Sequence, residues 1–264
     1  MRLRPRRASL GAMTIPIPDL ATAFMLVFAR VGTLVMLLPA IGEQLIPARL
    51  RLGFALLLTL TLLPLASGLL PRTAAPDRAI AMLLGEVLVG LILGLATRMV
   101  LAALQTAGAV IAQELGLASA LTVDPTTRSG QEAAIGNLLT LLGITLVFAT
   151  DTHHLAITAV RDSYALLPPA SLPEAGDAAK LAVGAVGAAF ALALKLAAPF
   201  ILFAFLFNLG LGVLSRLIPQ IQVFFVGIPL SILIGMLVLL VSVAAMMTLF
   251  VGDLGRFLQT FGVS

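Results

Sequence analysis

The sequence predicts an all-α integral membrane protein of about six hydrophobic helical segments, some of them broken. Three observations lead there. Of 264 residues, 60% are apolar and 11% charged, with a mean hydropathy of +1.13; a soluble domain is roughly 45–50% apolar and about 25% charged. The apolar residues gather in runs of the ~20 residues that a membrane-crossing helix needs. Those runs lack the apolar–polar alternation of a transmembrane β-barrel. The same figures exclude a conventional soluble enzyme and a disordered chain, and the absence of Cys excludes a disulfide-stapled secreted domain.

The runs follow in order. Leu20–Leu38 is apolar but for Arg30, and Leu52–Leu70 has no charge. Ala79–Gln113 is interrupted only by Glu86 and Arg98. Ala133–Thr150 is uncharged, Leu181–Ser215 carries Lys195 alone, and Leu217–Gly252 has no charge. Turn signals separate them: Pro39 to Pro47, Pro71 to Asp77, Asp124-Pro125, and Pro168 to Asp177. Two runs are too long for plain spans. As one helix Ala79–Gln113 is about 50 Å long against a hydrocarbon core of ~30 Å, so it must tilt, project or break. Leu217–Gly252 opens on Pro219, Gln220 and Gln222 and contains Pro229, which predicts a break and then a helix from about Pro229. The chain divides into a basic extension (1–12), a first hydrophobic half (13–130) and a second (131–264).

The net charge of +4 resides wholly in Arg2, Arg4, Arg6 and Arg7, because the remaining 12 basic residues balance 12 acidic ones. The high isoelectric point is therefore no sign of a nucleic-acid partner. The cluster reads as a cytoplasmic positive-inside anchor or as an over-extended start with Met13 as the true first residue. A signal peptide fits less well, since Pro16, Pro18 and Asp19 precede any apolar run. In an N-in arrangement Arg72, Arg78, Arg161, Lys180 and Arg256 lie inside, against Arg49, Arg51, Arg128 and Arg216 outside. That balance is too even to set orientation without the four early arginines.

Arg30, Glu86, Arg98 and Lys195 lie within apolar runs, where each costs about 2.5–3.5 kcal/mol at a helix centre. They are expected to pair, with one another or with a neighbouring subunit, and to fix assembly. A proton relay needs carboxylates in series, and only Glu86 is deeply placed. Glu86 and Arg98 lie too far apart along one helix to meet, whereas Arg30 and Glu86 can pair across helices. Gly90 and Gly94 form a GxxxG, and Gly184, Ala185, Gly187 and Ala188 form a second small-residue face; such faces permit close helix packing. HExxH, Walker A and GxSxG motifs are absent. Asp151, His153 and His154 superficially suggest metal ligands, but adjacent histidines on a helix diverge by about 100°. A polar loop at a helix end is the expectation there, with no cofactor and no enzymatic role for the chain.

Several stretches, in order, resemble the FliR/SctT family of type III secretion export gates. Phe28-Ala-Arg30-Val-Gly32 with Pro39 is similar to its first helix, and Gly85-Glu86 through Gly94 to its third hydrophobic block. Val123-Asp124-Pro125 leading to Phe148 and Asp151-Thr-His153-His154 is similar to its central loop and next helix. Asn208 through Arg216, Pro219, Gln220, Gln222 and Phe224, then Gly227-Ile-Pro229, resembles its C-terminal turn motif, with Gln222 where the family usually carries Asn. The resemblance runs from about Met13 to Arg256, which favours the over-extended start.

The resemblance implies a FliP-like first half, a FliQ-like second half, and helical hairpins packed in an export-gate assembly with FliP and FliQ. It further implies FlhB and FlhA nearby, unfolded flagellar proteins in transit, and a place in the bacterial inner membrane at the flagellar basal body. Glu114, Leu115, Gly116, Leu117, Ala118, Ser119, Ala120 and Leu121 resemble the family's pore plug. Their apolar bulk on a slim backbone suits closure by dewetting. An injectisome gate subunit is the nearest alternative. A secondary transporter with broken midplane helices is the other, against which the two halves show no inverted repeat.

Overall fold

In a computed structural model the chain is a packed set of long helices. The residues described are 17–39, 41–42, 46–67, 76–116, 128–169, 175–217 and 223–260. Seven helices follow in order: α1 (Ile17–Leu37), α2 (Ala48–Ser67), α3 (Pro76–Glu114), α4 (Arg128–Ala149), α5 (Thr152–Leu166), α6 (Ala175–Leu217) and α7 (Val223–Gln259). Five of these are long and apolar enough to cross a membrane, and the bent α4–α5 pair makes a sixth if counted as one span.

Proline and glycine set the ends of α1 and α3. Pro18 and Pro76 lie in the first turns of α1 and α3, where a missing N–H costs nothing. Pro39 follows the end of α1, because the residue before a proline is driven out of helical geometry. Beyond α3, Gly116 takes φ 71°, and its N–H returns to the Gln113 carbonyl at 3.0 Å. A side chain there would be strained, so glycine suits this helix stop.

The third run is a single unbroken helix of 39 residues, about 58 Å long. It is the spine of the fold, since α1, α4 and α6 all pack against it. Gly90 and Gly94 form its seat for α1. A methyl group at Gly90 would overlap the Thr33 hydroxyl and the Arg30 carbonyl, and one at Gly94 would meet Leu37. Further along, Gly108 lies against Gly136, so the α3 and α4 backbones touch where they cross. Leu104, Ile111, Leu139, Leu196, Phe200 and Phe250 fill the core around the spine. The second small-residue face behaves differently: Ala185 is buried, but a methyl group added at Gly184 or Gly187 would meet nothing within 4 Å beyond the helix's own adjoining backbone.

Two expectations need correction. The last long run was expected to resume as a helix from about Pro229; instead α7 starts at Val223 and carries Pro229 inside it, and residues 218–222 lie outside the described residues. An interior proline costs about 3 kcal/mol. Packing across the α6–α7 hairpin offsets it, with the Leu211 side chain seated on Gly227. The second correction is α5. The segment from Asp151 is a helix start rather than a plain loop, because Asp151 adopts φ 57° and the chain turns by 77° from α4 into α5. α5 buries Ala156, Val160, Ser163 and Tyr164, an i, i+4, i+7, i+8 face that the sequence does display.

Candidate functional site

The deepest polar feature joins α1, α3 and α5. Arg30 and Glu86 are both buried, and Arg30 Nε donates to Glu86 Oε2 at 2.6 Å. Arg30 Nη1 donates to the carbonyls of Ser163 at 3.1 Å and Leu167 at 2.8 Å. Those oxygens lie at the C-terminal end of α5, the negative end of its dipole, and the Ser163 oxygen also accepts the Leu167 N–H at 3.0 Å. The guanidinium also sits over the Tyr164 ring, 4.4 Å from its centroid. One cation thus holds the Glu86 carboxylate and closes the end of α5. The contacts join three elements, and among the described residues Glu86 is the one buried carboxylate.

The other two intramembrane charges are arranged differently. Arg98 is half-buried on α3. Lys195 is exposed on α6, with Nζ 3.4 Å from Asp253 Oδ2 of α7, and Asp253 also bonds Arg256 one turn on. Sequence reading did not single out Asp253, which lies one residue beyond the last apolar run. A carboxylate three residues before a basic group at the end of an uncharged run is the available signal.

The segment expected from the resemblance to form a plug starts on a fixed seat. Glu114 is the last residue of α3, and Leu115 is fully buried. Ser231 Oγ of α7 donates to the Leu115 carbonyl at 3.3 Å, and the Leu115 side chain rests on Gly235 one turn later. Leu117, Ala118, Ser119, Ala120 and Leu121 lie outside the described residues. So do Pro219, Gln220 and Gln222 of the C-terminal turn, while Arg216 is exposed at the end of α6 and Phe224 stands in the first turn of α7. At the α4–α5 bend, donor atoms of Asp151, His153 and His154 lie within 4.8 Å of one another. His153 packs on Phe148 at 5.4 Å between ring centroids, and the three residues share one turn of chain.

The outer surface is largely apolar. Leu57 and Leu60 of α2, Phe190, Leu202 and Phe205 of α6, and Leu233, Leu240 and Val241 of α7 are all exposed. Such continuous surfaces require lipid or protein cover.

Known proteins match this sequence along most of its length. The sequence profile of the bacterial export proteins, family 1, matches residues 21–257. Flagellar biosynthetic protein FliR of Caulobacter vibrioides is 43% identical, covering 85% of this chain and 91% of its own. FliR of Bacillus subtilis is 31% identical over 86% and 88%. Yop proteins translocation protein T of Yersinia pestis is 28% identical over 85% and 87%. With a family match over nearly the whole fold and a relative this similar, the chain belongs to the bacterial export proteins, family 1, the FliR/SctT family.

Proposed function

We propose that the chain is a membrane-embedded subunit of a type III protein export gate of the flagellar kind. With FliP-like and FliQ-like subunits it forms the channel by which unfolded flagellar proteins cross the inner membrane at the basal body, with FlhB and FlhA alongside. The observation that carries this reading is the 43% identity to a flagellar FliR across nearly the full length of both chains. The injectisome relative is more distant at 28%, which favours the flagellar system.

The physical features support a subunit rather than a free-standing protein. Apolar faces on α2, α6 and α7 are uncovered, and Gly184 and Gly187 offer a slim surface to a neighbouring helix. The reading gives the chain no reaction to catalyse. Within it, Glu114–Leu121 closes the resting channel, with Leu115 seated on α7 as its root. Affinity purification from native membranes tests the assembly: the chain should elute in one large complex with FliP-like and FliQ-like proteins. Elution as a stable, fully helical monomer contradicts it.

A further inference from the structure

The bend between α4 and α5 gathers the chain's whole stock of nitrogen and sulfur metal ligands. The sequence contains two histidines and no cysteine, and both histidines stand in the first turn of α5, beside Asp151 at its N-cap. Adjacent positions on a helix point about 100° apart, yet the two rings converge. Their centroids are 4.1 Å apart and their planes are tilted by 34°. The Phe148 ring at the end of α4 packs on His153 at 5.4 Å, so His153 is held from the α4 side.

Each of the three groups keeps its ligating capacity unspent. Asp151 occupies the N-cap, where a carboxylate ordinarily accepts the N–H of the second or third helical residue, but its side chain makes no capping bond. The carboxylate lies 3.6 Å from His154 Nδ1, beyond hydrogen-bond reach. His153 Nδ1 is shielded from solvent and has no hydrogen-bond partner among the described residues. A shielded polar atom left without a partner is rare in native proteins and points to a water or an ion. One donor atom from each residue lies within 4.8 Å of the other two. A tetrahedral ion with bonds of about 2.0–2.2 Å holds its ligands roughly 3.4 Å apart. The Asp151 and His154 side chains are 78% and 67% exposed, so their rotation closes the difference. The carbonyl end of α4 and the amide end of α5 meet here, and their dipoles act on a cation in opposite senses.

We propose that Asp151, His153 and His154 bind a divalent transition-metal ion of the Zn2+ class at this bend. Two imidazoles and one carboxylate make a mixed nitrogen–oxygen set. It suits Zn2+ and its first-row neighbours and disfavours Mg2+ and Ca2+, which take oxygen ligands. Three protein ligands leave a coordination position for water. The ligands come from one turn of chain, and Asp151 adopts the left-handed φ of 57° at the corner. A bound ion therefore staples the first turn of α5 to that corner and holds the 77° angle between the two helices.

The test uses the chain in the assembly in which it leaves solubilised membranes, purified through a tag without histidine. The assembly is stripped with a chelator and equilibrated with Zn2+ buffered at set free concentrations. Bound Zn2+ is counted per copy of the chain for the unaltered protein and for His153→Gln, His154→Gln and Asp151→Asn, with the amount of assembly measured in each. The unaltered protein should hold one more Zn2+ per copy than His154→Gln, and each substitution should weaken that site at least about tenfold. Asn tolerates left-handed backbone and His154 is exposed, so these two variants keep the test valid if His153→Gln upsets the packing on Phe148. Equal Zn2+ in the unaltered protein and every variant overturns the proposal. Loss in the histidine variants alone also overturns it, because the carboxylate is then no ligand. Displacement of the bound Zn2+ by millimolar Mg2+ overturns it too, since that is the behaviour of an oxygen site.

Discussion

Arg30 stands 2.6 Å from Glu86 in the interior while the same guanidinium donates to the Ser163 and Leu167 carbonyls at the end of α5. The pair therefore does two jobs. It neutralises two charges that apolar surroundings would otherwise expel, and it ties a short amphipathic helix to the α1–α3 core. Breaking a buried pair by removing one partner costs about 3–5 kcal/mol, because the other charge is left behind.

Arg30→Ala should accordingly lower the amount of assembled complex, and Glu86→Ala should do the same. The double substitution removes the stranded charge, so it should recover part of the Glu86 effect. It should not recover fully, because the Arg30 bonds to the Ser163 and Leu167 carbonyls are still lost, leaving Ser163 only the Leu167 N–H. Native gels of solubilised membranes read this directly. A complex that forms normally in Arg30→Ala, while export loses its dependence on proton-motive force, would replace the assembly role with a relay.

The two glycine faces should respond in opposite ways. Gly90→Ala pushes a methyl group into Thr33 and the Arg30 backbone, an overpacking that costs typically 1–3 kcal/mol. It should weaken the subunit itself, seen as faster proteolysis even in the absence of partners. Gly184→Leu meets open space in the chain, so it should leave the isolated subunit unchanged and reduce only the yield of complex. Equal complex yield for Gly184→Leu and the unaltered chain would show that this face has no protein neighbour.

At Gly116 charge and backbone can be separated. Any side chain at φ 71° is strained by about 1–3 kcal/mol. Gly116→Ala carries that strain alone, whereas Gly116→Asp adds a charge where the closure segment leaves α3. If the segment closes the channel by dewetting, Gly116→Asp should leak ions more than Gly116→Ala, and deletion of residues 117–121 should leak most. Growth and ion conductance of cells with confirmed complex provide the measurement. Unchanged conductance in the deletion would place closure elsewhere.

The Leu115 seat gives an independent route to the same state. Gly235→Val would fill the space that the Leu115 side chain occupies on α7, and Ser231→Ala would remove its carbonyl's donor. The combined variant should loosen the closed channel without adding charge, raising conductance in the same assay. A tight channel in the double variant would show that the seat does not hold the segment.

The sequence made some of this visible and hid the rest for identifiable reasons. Charges inside uncharged runs stand out against a hydropathy background, so Arg30, Glu86, Arg98 and Lys195 were visible; so was the close-packing pair Gly90 and Gly94. Their partners depend on helix register across the fold, which no local pattern encodes. Ser231 and Leu115 lie 116 positions apart, and Lys195 and Asp253 lie 58 apart. α5 was missed because Arg161 and Asp162 break its hydropathy, although its buried face keeps helical spacing. Pro229 drew the start of α7 too late, since proline propensity was outweighed by packing along the α6–α7 hairpin.

If flagellar export runs through a gate containing this chain, secretion must depend on its presence. The most direct measurement is the quantity of filament protein secreted by a strain lacking the chain, with and without the chain restored, at matched intracellular substrate levels. The account predicts that secretion disappears on deletion and returns with the chain, together with motility. Secretion that continues in the deletion strain would contradict it.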